Sequence, residues 1–101
     1  MEAQISKTST VVASKNQVWC ELVGEAVILH LKSGIYFGLD PVGARIWDLI
    51  QQPMTVECLL EQLVNEYEVR VDRCESDLFA LLQDLATNEL IVIEAGRNGA
   101  E

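Results

Sequence analysis

The sequence predicts an α+β domain, strands first and helices after, and two observations carry that prediction. Up to about residue 40, β-branched and aromatic residues alternate with polar ones; beyond it, Leu, Ile and Val recur at the 3.6-residue spacing of amphipathic helices. A chain of 101 residues buries about 65% of the surface its unfolded form exposes, which leaves room for one hydrophobic core and no separate catalytic domain.

Thr10-Val11-Val12-Ala13 reads as a short strand, followed by the polar connection Ser14-Lys15-Asn16-Gln17. The segment from Val18 to Val23 mixes polar and apolar residues and is left unassigned. Glu25 to Leu31 is a second strand. Lys32-Ser33-Gly34 supplies a turn ending in the residue that tolerates positive φ, and Ile35-Tyr36-Phe37-Gly38-Leu39 returns as the other arm of a hairpin. Asp40-Pro41 starts a helix, because Asp can cap free N–H groups and Pro at the first helical position has no N–H to satisfy. Its apolar stripe is Val42, Ile46, Leu49 and Ile50, and Gln51-Gln52-Pro53 ends it. Thr55 caps a second helix whose face is Val56, Leu59, Leu60, Leu63, Val64 and Tyr67. Asp72 is the expected start of a third, with Cys74, Leu78, Leu81, Leu82 and Leu85 as its stripe and its end near Asn88-Glu89. Leu90-Ile91-Val92-Ile93 closes as a short strand or an extended cap, and the small, polar tail from Ala95 to Glu101 is expected to be disordered. The outline is that of a winged helix-turn-helix.

Composition narrows the function. Sixteen acidic residues against seven basic ones give a formal charge of −9, which repels phosphate backbones and anionic membranes. The third helix sharpens the point: Asp72, Glu75, Asp77, Asp84 and Glu89 face Arg73 alone, whereas a recognition helix needs clustered Lys and Arg. No stretch approaches the roughly 20 apolar residues that span a bilayer. The N-terminus has no basic region followed by an apolar run, so a cytoplasmic location is expected. Cys20, Cys58 and Cys74 form no C-x-x-C pair; neither a zinc site nor a disulfide framework is signalled, and packing in or near the core is the simpler reading. His30, the single histidine, sits in an apolar strand and reads as a solvent-facing or hydrogen-bonded sheet residue rather than a catalytic base. The glycines match neither a dinucleotide fingerprint nor a P-loop. No enzyme activity, cofactor or metal is expected.

The hairpin remains. Tyr36 and Phe37 put one ring on each face of the sheet, and no Lys or Pro within Ile35–Leu39 blocks the edge. Such an edge can accept a peptide as an added strand, held by backbone hydrogen bonds and specified by pockets for alternate side chains; ordinary packing of both rings is the competing reading.

The block Ser33-Gly34-Ile35-Tyr36-Phe37-Gly38-Leu39-Asp40-Pro41-Val42-Gly43-Ala44-Arg45-Ile46-Trp47, with the later Thr55-Val56 helix start, Tyr67 and the Asp77-Leu78, Leu81-Leu82, Leu85, Leu90 spacing, resembles the PqqD-like proteins. These are the recognition elements of pathways that modify ribosomally made (RiPP) peptides. The block looks most like the stand-alone recognition proteins of lasso-peptide clusters. It lacks the Arg-Leu-Arg-Trp-like first-strand segment of the pyrroloquinoline quinone branch, which places a peptide chaperone of that branch second and a winged-helix transcription regulator behind it.

The resemblance covers residues 8–95, leaving 1–7 and 96–101 as flexible ends. It implies a three-stranded antiparallel sheet followed by three α-helices. It also implies a non-catalytic module that binds the leader segment of a precursor peptide in a cleft between the Ile35–Leu39 strand and the third helix. Carried over by position, the strand side of that site is Ile35, Tyr36, Phe37, Gly38 and Leu39, and the helix side is Cys74, Asp77, Leu78, Leu81 and Leu82. The partners it implies are the leader and a transglutaminase-like leader peptidase or another peptide-modifying enzyme.

Overall fold

In a computed structural model, described over residues 5–15, 17–23 and 25–94, the alternating half of the chain forms four strands and the periodic half three helices with two further strands. They are β1 (Thr10–Ala13), β2 (Gln17–Leu22), β3 (Glu25–His30), β4 (Tyr36–Leu39), α1 (Pro41–Leu49), β5 (Met54–Thr55), α2 (Val56–Glu66), α3 (Val71–Thr87) and β6 (Ile91–Glu94). The tail from Ala95 and residues 1–4 lie outside the described residues.

The α+β class and the three helices are as expected, but the strands form two antiparallel sheets, ordered β5-β1-β6 and β2-β3-β4. The unassigned segment is β2, which pairs with β3 along its whole length from Gln17↔His30 to Leu22↔Glu25. The first strand does not join this hairpin sheet. It takes β6 on one side, from Thr10↔Glu94 to Ala13↔Ile91, and β5 on the other. Residues 5–9 also fold against the helices: Ile5 packs on the core, and the carbonyls of Lys7 and Ser9 accept the free N–H groups of Glu57 and Val56 at the start of α2, both at 3.0 Å.

Two helix starts follow the side-chain signals. Asp40 accepts the Gly43 N–H at 2.8 Å with Pro41 at the first helical position, and Thr55 accepts the Cys58 N–H at 3.1 Å. The third helix starts one residue before the expected Asp72. Arg70 stands at the cap position without a side-chain capping bond to the helix N–H groups, and its guanidinium instead donates to Asp72 in the first turn at 3.1 Å. Asp72 still lies where a carboxylate favours the helix dipole.

The end of α3 is a Schellman motif built without glycine. The Leu90 N–H reaches the Leu85 carbonyl at 2.9 Å, the Glu89 N–H reaches the Ala86 carbonyl at 3.0 Å, and Leu85 and Leu90 are both buried. The motif forces Glu89 to φ 60°, a left-handed conformation that costs a residue with a Cβ roughly 1–2 kcal/mol. Glu89→Gly is therefore expected to stabilise the domain by about 1 kcal/mol, after allowing for the greater freedom of glycine in the unfolded chain. Denaturant unfolding checks this, and an unchanged or lower midpoint would contradict the strain argument.

The core lies between the sheets and the helices. Trp47 and Ile50 of the α1 region, Leu59 and Leu63 of α2, and Leu78, Leu82 and Leu85 of α3 meet Val11, Ile28, Leu90 and Ile91 from the strands. Trp47 is fully buried and meets Trp19 of β2 edge-on, with ring centroids 6.3 Å apart and planes at 85°. On the far side Arg45 ties α1 to α2 through Glu66, at 2.7 Å and 3.0 Å. The hydrogen bonds from Arg45 and then Gln62 hold the Glu66 carboxyl down at about 2.

Candidate functional site

The site is assembled from the turn before β4 outward. Gly34 adopts φ 74° in that turn, as the Lys32-Ser33-Gly34 sequence anticipates. His30, at the end of β3, is buried, and its Nδ1 accepts the Ser33 N–H at 3.1 Å while lying 3.0 Å from the Ser33 hydroxyl. The histidine therefore braces the hairpin, and its Nδ1 is engaged in the turn rather than free for catalysis.

This turn fixes the register of β4, and the register decides which backbone groups are open. The His30 N–H donates to the Ile35 carbonyl at 3.0 Å, and the pairs continue Leu29↔Tyr36, Ile28↔Phe37, Val27↔Gly38, Ala26↔Leu39. In an antiparallel ladder, hydrogen-bonded pairs alternate with non-bonded ones. Phe37 and Leu39 thus point their N–H and C=O groups at β3, as Ile35 does its C=O, and Tyr36 and Gly38 point theirs away. Among the described residues β4 has no strand on that outer side. No Lys, Pro or bulge obstructs it, and a Cβ added at Gly38 would meet nothing within 4 Å.

Where β4 ends, a groove begins. Asp40, Val42, Gly43 and Ile46 from the start of α1 form one wall, and Cys74, Asp77, Leu78 and Leu81 of α3 form the other. Leu63, Tyr67 and Val69 from the end of α2 and the following connection close it, with Arg73 completing the lining of a cavity of about 340 Å³. The lining is mainly aliphatic, with carboxylates at Asp40 and Asp77, and Arg73 lies 3.6 Å from Asp77. Burial, and secondarily the charge of Asp77, pushes the Cys74 thiol up, away from the thiolate form that attacks or binds metals. Among the described residues no three His, Cys, Asp or Glu side chains converge to hold a metal ion.

The residues anticipated from the sequence divide into three groups. Cys74, Asp77, Leu78 and Leu81 line the groove. Tyr36 and Gly38 lie on the open strand; Ile35 precedes it in the turn, exposed. Phe37 packs against the core, while Leu39 and Leu82 are buried within it and line none of the groove. Sequence reasoning missed the groove residues Asp40, Val42, Gly43, Ile46, Leu63, Tyr67, Val69 and Arg73. Val42, Ile46, Leu63 and Tyr67 belong to stripes read as core, and the exposure of Val42 at the leading end of the α1 stripe shows only in the fold. The cysteines depart from the core reading in two cases: Cys20 and Cys58 are exposed, and only Cys74 is partly buried.

No curated protein matches the chain significantly. Among solved structures, "TbiB1 in Complex with the TbiA(beta) Leader Peptide" is similar at 39% identity and a TM-score of 0.74, over 79% of this chain and 93% of that one. The family model described as "Coenzyme PQQ synthesis protein D (PqqD)" matches residues 25–91. That match starts with β3 and ends as β6 begins, so it contains the braced turn, the open edge and the whole groove lining; with more than half of its length accounted for in this way, the chain belongs to the PqqD family.

Proposed function

We propose that this protein binds the leader segment of a ribosomally synthesised precursor peptide as a strand added to the free edge of β4, seats leader side chains in the adjoining groove, and presents the bound precursor to a separate enzyme. The observation that carries the reading is the outward pair Tyr36 and Gly38, two unblocked backbone positions that run directly into the groove between α1 and α3. The leader-peptide complex of the 39% identical neighbour supports the ligand class. The resemblance of the Ser33–Trp47 block to lasso-cluster proteins supports a transglutaminase-like leader peptidase as the enzyme that receives the precursor.

The energetics suit so small a site. The four outward groups of Tyr36 and Gly38 offer about 1 kcal/mol net per hydrogen bond, and each apolar anchor buried in the groove adds roughly 2 kcal/mol. Ordering the leader and losing its rigid-body freedom subtract several kcal/mol, so both parts of the site are needed for tight binding. Titrating the labelled protein with the leader of the precursor encoded beside it, followed by backbone amide shifts, tests the reading. The largest shifts are expected at Tyr36, Gly38 and the α3 residues 74–81; shifts confined to β2 or to the β5-β1-β6 sheet would overturn it.

A further inference from the structure

Among the described residues His30 is the one buried side chain that can carry a charge, and it is the only histidine in the chain. It ends β3 where the turn into β4 begins, and the hydrogen bonds of that turn run through it and Ser33. The Ser33 N–H donates to its Nδ1 at 3.1 Å, the Ser33 hydroxyl lies 3.0 Å from the same nitrogen, and the Ile35 N–H donates to that hydroxyl at 3.3 Å. The His30 carbonyl accepts the Gly34 N–H at 2.8 Å, and the His30 N–H reaches the Ile35 carbonyl at 3.0 Å. Tyr36, the first residue with outward backbone groups, follows at once.

A backbone N–H can donate to Nδ1 only while that nitrogen keeps its lone pair, which requires a neutral ring with its proton on Nε2. A second proton makes Nδ1 a donor. The Ser33 hydroxyl can then accept it, but the Ser33 N–H is left facing another N–H, and the peptide that carries it must turn away. The surroundings do not offset this. On β2 the residue opposite is Gln17, and the charged residues of the adjoining connections, Lys15 and Lys32, are exposed and share the sign of an imidazolium. On β4 Tyr36 is exposed on the opposite face. In α1, the helix packed on β3, Arg45 and Asp48 pair with each other at 3.0 Å. Among the described residues no carboxylate forms an ion pair with the ring.

Resting on the leader-binding reading, we infer that His30 is a positioning residue whose protonation switches the leader edge: the neutral ring holds Tyr36 and Gly38 in the register that takes the leader, and the protonated ring releases it. The sign follows from the bond. Because Nδ1 accepts only when unprotonated, the edge is complete at the alkaline end of the range over which histidines titrate, about pH 8, and is lost as the pH falls toward about 5. By reciprocity, a bound leader resists protonation of the ring.

Calorimetric titration with the leader of the neighbouring precursor, at about pH 7.5 and about pH 5.5, reads the switch. Wild-type affinity should fall about tenfold between the two, the scale of one buried donor left without its acceptor. His30→Asn puts an amide oxygen where Nδ1 stands and gains no proton in this range, so it should bind at the higher pH within about threefold of the wild type and change by less than about twofold at the lower. Equal falls in the two proteins, or a wild-type affinity that does not fall, would overturn the inference and leave leader binding intact. Magnetic resonance of the leader-free wild type serves whether or not His30→Asn folds. The single imidazole and the amides of Ser33, Tyr36 and Gly38 should titrate with one midpoint; a histidine that only fills space would leave Tyr36 and Gly38 unmoved. Still amides beside a titrating ring, or a ring that takes no proton before the fold is lost, would overturn the switch. Failure of the wild type to bind the leader at either pH would instead remove the leader-binding reading, and this inference with it.

Discussion

Gly38→Pro should leave the domain folded and weaken leader binding by about tenfold or more. The Gly38 N–H points away from β3, so removing it breaks no bond of the existing ladder, and proline is tolerated on edge strands at such positions. The same change deletes a donor that the proposed leader strand would use and puts a ring where that strand would lie. One lost hydrogen bond accounts for about 0.5–1.5 kcal/mol, and obstruction of its neighbours brings the total past the roughly 1.4 kcal/mol of a tenfold change. Gly38→Ala is the control. Its methyl group would stand in open space on the outer face, and leader affinity should stay within about twofold. Calorimetric titration of both variants, with circular dichroism to confirm the fold, makes the comparison; wild-type affinity in a folded Gly38→Pro protein would sink strand addition. Phe37→Asp is a poorer probe, since Phe37 packs against the core and its loss would confound binding with stability.

How much of this was legible in the sequence depended on how local each signal is. Asp40-Pro41 and Thr55 announce their helices because a cap is satisfied within three residues, and Ser33-Gly34 announces the turn because a positive φ selects glycine. The edge strand follows from that turn. What stayed hidden is decided over distance. β2 escaped assignment because Val18 and Cys20 on one face and Trp19 on the other blur the polar–apolar alternation. The β5-β1-β6 sheet pairs Val11 with Met54 and Ile93, and nothing near Val11 specifies partners so far along the chain. The groove was half legible. Helical spacing groups Leu78, Leu81 and Leu82 on one stripe, but only packing against α1 and α2 decides that Leu82 is core and Leu81 lines a cavity.

The second large effect concerns the platform beneath the edge. Trp47→Ala is expected to cost about 3–5 kcal/mol, the range for truncating a fully buried aromatic side chain. Native domains have only about 5–15 kcal/mol in total, so this variant should unfold at far lower denaturant or temperature. The location makes the loss more than a cavity. Trp47 is the α1 side chain that meets Trp19 of β2, and α1 is the helix packed against β3 and β4, so truncation loosens the helices from the hairpin sheet that carries the open edge. Leader affinity should therefore fall with stability, unlike in the Gly38→Pro protein, where affinity falls alone. Trp47→Phe separates packing from polarity. Among the described residues the buried Trp47 Nε1–H has no hydrogen-bond partner, and leaving a donor unsatisfied costs about 1–3 kcal/mol. Phenylalanine removes that penalty while keeping most of the ring, so its net cost should be well below that of alanine. Equal destabilisation by the two variants in guanidinium unfolding would show that the indole ring system itself, rather than an aromatic of roughly its size, holds the sheet to the helices.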